Sequence, residues 1–117
     1  MKPHADTISA VYVVAELIPK LNAVEKHIEQ TINAVLNTSQ LPTQIERYTK
    51  LQVEFQLELT MIRLNLEHLL KRYNKELEAV INDPRQDVLL TLGQHESVAV
   101  ESVKTLYNRV QRLQQAR

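Results

Sequence analysis

The residues with the widest chemical range in this chain are four histidines, His4, His27, His68 and His95, and the carboxylates near them. A metal centre on helices needs ligands that share a face, as in His-x-x-x-His or Glu-x-x-His, and neither spacing occurs. Glu67-His68 and His95-Glu96 are adjacent pairs, whose side chains leave a helix about 100° apart. Surface or boundary histidines are therefore expected, with no metal and no cofactor. Glu25, Glu76, Glu96 and Gln52 fall at seam positions of the helical pattern described below. Acids do general acid-base work only when a shared pocket drives their pKa values apart. Folding the helices back about their loops sets Glu96 level with Lys71 and Arg72, and Gln52 level with Ile28. The acids do not converge, so they are read as register-setting groups, with an interhelical ion pair at Glu96. Ser9, Ser39, Ser97 and Ser102 have no base at a spacing that would make a nucleophile, and cysteine is absent. The expectation is a protein without enzymatic activity.

His68-Leu69-Leu70-Lys71 resembles the way histidine phosphotransfer domains present an imidazole on a helical bundle, with a lysine three residues on. That resemblance implies signalling through a phosphorylated His68. Those domains place a small residue, typically glycine, after the lysine so that a partner's aspartate can approach, and here Arg72 stands there. The helical chorismate mutases need several inward cations for a dianionic substrate. The first helical segment has no arginine, and its Lys20 and Lys26 fall off the seam, so that comparison fails.

The elements that must position these residues follow from composition and periodicity. The chain has 117 residues, 44% hydrophobic and 24% charged, which is one domain. A single glycine leaves no material for phosphate-cradling loops or tight hairpins, and the fold class is all-α. Fourteen Lys+Arg balance fourteen Asp+Glu, so no global field draws polyanions. Lys71, Arg72, Lys75, Lys104, Arg109, Arg112 and Arg117 form the one candidate basic edge, with only Tyr48, Tyr73 and Tyr107 near it for base stacking. Nucleic-acid binding through the basic C-terminal helix is kept as a weak alternative. The apolar stretch from Ile8 to Ile18 is closed by Pro19, too short for a bilayer span of roughly 20 residues. With only Lys2 as an n-region charge and no small-x-small cleavage site before Pro19, it is not expected to act as a signal peptide, and a cytoplasmic location without membrane association is expected.

Apolar residues recur at alternating steps of three and four in three segments. The first carries Val11, Val14, Ile18, Leu21, Glu25, Ile28, Ile32 and Val35. The second runs from Ile45 and Tyr48 through Gln52, Phe55, Leu59, Ile62, Leu66, Leu69 and Tyr73 to Glu76 and Val80. The third has Leu89, Leu92, Glu96, Ala99, Val103, Leu106, Val110 and Leu113. Helix-start chemistry punctuates them: Asp6 as a cap before Thr7, Thr43 with Glu46 as a capping box, and Asp83-Pro84 with Gln86. The pattern predicts an antiparallel up-down-up bundle of three long helices with coiled-coil-like packing, at about 7–37 with a kink near Pro19, 43–82 and 84–115. The β-branched run Val11 to Val14 leaves a short extended or separately angled segment at 8–17 as an alternative. Gly93 weakens the third helix by roughly 1 kcal/mol relative to alanine.

The second helix carries a further stripe, Val53, Leu57, Met61 and Leu64, opposite its seam. Either its two neighbours enclose that stripe, or it is a partner face. A partial second stripe on the third helix, Val88, Val98, Val100 and Tyr107, is too short to cover it. The functional expectation is a protein-protein interaction module working by helix-helix association, as an adaptor, a chaperone or assembly factor, or a subunit of a larger helical complex. Its partner is a second copy in a homo-oligomer or another helical protein, and no small-molecule substrate is evident.

Overall fold

The computed structural model describes residues 6–115, with side chains as far as Arg112. His4, the Leu113 side chain and Arg117 lie outside the described residues. The elements in order are a strand β1 (Thr7–Ser9), a helical turn α1 (Ala10–Tyr12), a π turn (Val13–Leu17) and the helices α2 (Ile18–Thr38), α3 (Pro42–Arg72) and α4 (Asn74–Asn82). A 3-10 turn (Pro84–Gln86), a strand β2 (Leu89–Thr91) and a helix α5 (Gln94–Gln115) complete the chain. The all-α bundle stands, with α2, α3 and α5 packed pairwise as its body. α4 is a fourth helix set against α1 and the end of α3. The expected count of three long helices is thus corrected in three places, each with a local cause.

The first is the chain start. Residues 7–9 are extended and pair antiparallel with 89–91, Ile8 opposite Leu90. The helix then begins after Ser9, whose hydroxyl accepts from the Tyr12 N–H at 3.2 Å, so Ser9 and not Asp6 is the cap. Helical dihedrals run on through the π turn into α2. The Ile18 N–H bonds back to the Val13 carbonyl, five residues earlier, and Pro19 follows at once. A proline ring clashes with the carbonyl four residues before it, and the wider turn makes room for it. The expected disturbance near Leu17-Ile18 is this change of helix type. It also changes which residues are buried: the row is Ala10, Val13, Leu17, Leu21, Val24, Ile28 and Ile32, while Val11, Val14 and Ile18 sit at its edge.

The second correction is at Tyr73, whose backbone (φ −113°, ψ 28°) ends α3 and begins α4. The expected helix of 43–82 is therefore split, and the buried row resumes at Leu77 and Val80 instead of passing through Glu76. The start of α3 lies one residue before the expected one, with Leu41 at the cap and Pro42 in the first turn.

The third is the segment 84–93, expected to be helix. Asp83 caps only a 3-10 turn, accepting from the Arg85 N–H at 3.1 Å. Asp87 then accepts from the Ser9 hydroxyl at 2.7 Å and the Val11 N–H at 2.9 Å, which clamps the turn onto the chain start. With Leu90 fully buried and Leu89 exposed, the segment alternates as a strand does. The ladder is extended by Ala10 N–H to the Val88 carbonyl at 2.9 Å and Leu92 N–H to the Asp6 carbonyl at 2.8 Å. Gly93 is not inside a helix but immediately before α5. From there the third seam is as read, with Leu92, Glu96, Ala99, Val103, Leu106 and Val110 all buried. No helix among the described residues is long and apolar enough to cross a membrane.

Candidate interaction surface

Phe55, Leu59, Ile62, Leu66 and Leu69 hold α3 to α2 and α5. A helix of 3.6 residues per turn must then turn Val53, Leu57, Met61 and Leu64 to the far side. Their exposures are 52%, 66%, 65% and 63%, so the neighbouring helices do not enclose them. Large side chains at such exposure, consecutive along one helix, form a contiguous apolar strip where a solvated helix carries charge. The stripe expected on the last helix does not extend it. Val100 is buried, Tyr107 is half-buried, Val98 is exposed on α5, and Val88 is exposed before β2, outside that helix.

A second feature is the buried carboxylate of Glu96, 4% exposed. Glu96 is the third residue of α5, and its Oε1 accepts from the Gly93 N–H at 2.7 Å, the return half of a capping box with glycine at the cap. The same oxygen accepts from Arg72 Nη2 at 2.5 Å, while Oε2 takes His68 Nδ1 at 3.0 Å. Arg72 Nη2 also donates to the Thr91 carbonyl at 2.7 Å, and its guanidinium stacks on Tyr73 at 4.8 Å. The Tyr73 hydroxyl accepts from the Thr91 N–H at 3.1 Å. A buried charge is tolerated when paired and fully hydrogen-bonded, as here. The cluster therefore ties the end of α3, the strand β2 and the start of α5 to one another. The ion pair expected between Glu96 and Arg72 forms, and Lys71 turns away to Glu67 at 3.0 Å.

His68 is 73% exposed at its side chain. In the tautomer with hydrogen on Nδ1 the ring donates to Glu96 Oε2 and leaves Nε2 as an acceptor. Two other seam polar groups, Glu25 and Gln52, also bridge helices. Glu25 pairs with Arg63 across α2 and α3, and Gln52 Nε2 lies 3.5 Å from Asn33 Oδ1. Among the described residues no three histidines or carboxylates are grouped to hold a metal ion.

Three ionisable groups are shifted, each by a named contact. Hydrogen bonding to Glu16 raises Lys20, and the Arg85 side chain and N–H hold Asp83 below the usual carboxylate range. The Val11 N–H and the Ser9 hydroxyl do the same to Asp87. Of the basic edge, Lys104 lies 3.7 Å from Glu101 and over the Tyr12 ring, and Arg109 lies over Phe55 at 5.0 Å. Those cations, with Lys71 and Arg72, are engaged within the chain. The heptad runs on through Gly93 and so hides the capping role of Glu96; a glycine three residues before a glutamate is the signal in the sequence that carries it. No known protein family matches this chain, and neither a characterised protein nor a solved structure is similar to it.

Proposed function

We propose that this chain is a non-enzymatic interaction module that works by helix-helix association through the outer face of α3. It serves as an adaptor, as a small chaperone or assembly factor, or as a subunit of a larger helical complex. The observation that carries the reading is the exposed row Val53, Leu57, Met61 and Leu64, about 17 Å long at 1.5 Å per residue, on a helix whose opposite row is core. Binding surfaces of this kind place apolar anchors at helical spacing against a partner helix. Substituting Leu57→Lys together with Leu64→Lys tests it. The pair is expected to leave helicity unchanged and stability within about 1 kcal/mol, because exposed positions contribute little to the fold. Association measured by sedimentation is expected to disappear. A doubly substituted protein that unfolds would show the stripe to be core and would end this reading.

A second reading, phosphotransfer at His68, has one observation in its favour: an exposed imidazole whose Nδ1 is held by a carboxylate. It expects an acid-labile phosphate on His68 after incubation with phosphoramidate, absent from the His68→Gln variant. No incorporation at His68 would remove it.

A further inference from the structure

The outer face of α3 carries more than four apolar residues. Glu46, Lys50, Val53, Leu57, Thr60, Leu64, Glu67 and Lys71 follow one another at strictly alternating steps of four and three, and every one is exposed. This is a complete second heptad seam, apolar in the middle and charged at both ends. Thr60 belongs to its apolar centre, since its hydroxyl donates to the Gln56 carbonyl at 2.8 Å and so is already satisfied within the helix.

The order of charges along the seam is acid, base, then acid, base. From it we infer that the occupant of this face is a second copy of the chain, with the two α3 helices antiparallel about a two-fold axis level with Glu58-Leu59. This rests on the reading of the outer stripe as an association surface. In that register Val53 faces the partner's Leu64, and Leu57 faces the partner's Thr60. Beyond them Lys50 meets the partner's Glu67, and Glu46 meets the partner's Lys71, so that the exposed Glu67–Lys71 pair within each chain is exchanged for, or shared with, pairs across the two-fold. Each layer sets an a position against a d position, as antiparallel pairing demands, and the two-fold repeats all of them.

The alternatives are penalised by the same residues. A parallel pair in register sets Glu46, Lys50, Glu67 and Lys71 each against its own copy, four like-charge layers. Slipping the antiparallel pair by one heptad sets Glu46 against the partner's Leu64, or Val53 against the partner's Lys71. Only one register matches apolar with apolar and acid with base throughout. The seam spans residues 46–71, about 38 Å of helix, and nothing among the described residues stands on that side of α3.

Charge exchange tests this at unchanged composition. The variant Glu46→Lys with Lys50→Glu, and separately Glu67→Lys with Lys71→Glu, each bring like charges together at both ends of the homodimer. Sedimentation equilibrium is expected to show the wild type as a dimer and each variant at least about tenfold weaker in self-association. An equimolar mixture of the two variants restores every acid-base pair, and is expected to form a heterodimer of wild-type affinity. The protein with all four changes is expected to dimerise with itself.

A monomeric wild type overturns the inference, as does failure of the mixture to recover. Leu57→Lys with Leu64→Lys, checked for helicity, separates this from the broader reading. If it abolishes dimers that the mixture cannot restore, the stripe remains an association surface and the antiparallel register is wrong. If dimers persist in that variant, both readings fall.

Discussion

Glu96 shows how one residue can fill the role that pattern assigns it and hold a second that pattern does not show. Its seam position and its level beside Arg72 follow from heptad counting, and the ion pair forms at 2.5 Å. Its second task, holding the Gly93 N–H, depends on where α5 begins, which counting does not reveal. Because the Arg72 guanidinium, the His68 ring and a backbone donor converge on one buried carboxylate, Glu96→Ala strips three contacts at once. It is expected to cost about 2–3 kcal/mol in urea unfolding, less than for a fully buried pair because Arg72 is partly solvated. Glu96→Gln keeps an acceptor for Gly93 but no charge for Arg72, and about half that loss is expected. Equal loss in both variants would show that the ion pair, and not the cap, carries the stability. Glycine at the cap also fits its surroundings, since a Cβ at Gly93 would stand 3.3 Å from Glu96 Oε1.

At the scale of elements, the parts legible in the sequence are those set by local periodicity. The rows Phe55 to Leu69 and Leu92 to Val110 follow the heptad spacing residue for residue, and the outer stripe of α3 lies exposed opposite the first of them. What was not legible has two causes. A π turn inserts part of a turn, so periodic counting through Pro19 names Val11, Val14 and Ile18 where Ala10, Val13 and Leu17 are buried. The strand pair joins three residues to three others some 80 positions away, and a pairing so distant leaves no periodic trace. Asp87 anchors that pair through Ser9 and Val11, and these bonds lower its pKa. A lowered folded pKa adds stability above the unfolded value of about 3.9, and that stability is lost as pH falls through the folded value. Asp87→Asn is therefore expected to lower the melting temperature at pH 7, with the difference from wild type shrinking below about pH 4. A difference independent of pH would mean that hydrogen-bond geometry, not ionisation, is what Asp87 supplies.

For the whole molecule, the proposed dimer makes folding and association one equilibrium, because a species that binds only the folded chain raises apparent stability by mass action. Melting temperature is then expected to rise with protein concentration in the wild type and to stay constant in the Leu57→Lys, Leu64→Lys protein. Salt divides the interaction further. Net charge is zero, so no overall repulsion opposes two copies meeting, and screening acts only on the end pairs. Exposed ion pairs contribute roughly 0.2–1 kcal/mol each, and the apolar centre Val53 to Leu64 is indifferent to moderate salt. Raising sodium chloride from dilute buffer to about 0.5 M, where the Debye length falls to a few ångström, should weaken the dimer about tenfold without dissociating its apolar core or unfolding the chain. Association that vanishes entirely with salt would place the binding energy in the charges alone, and the stripe on α3 would then have no part in it.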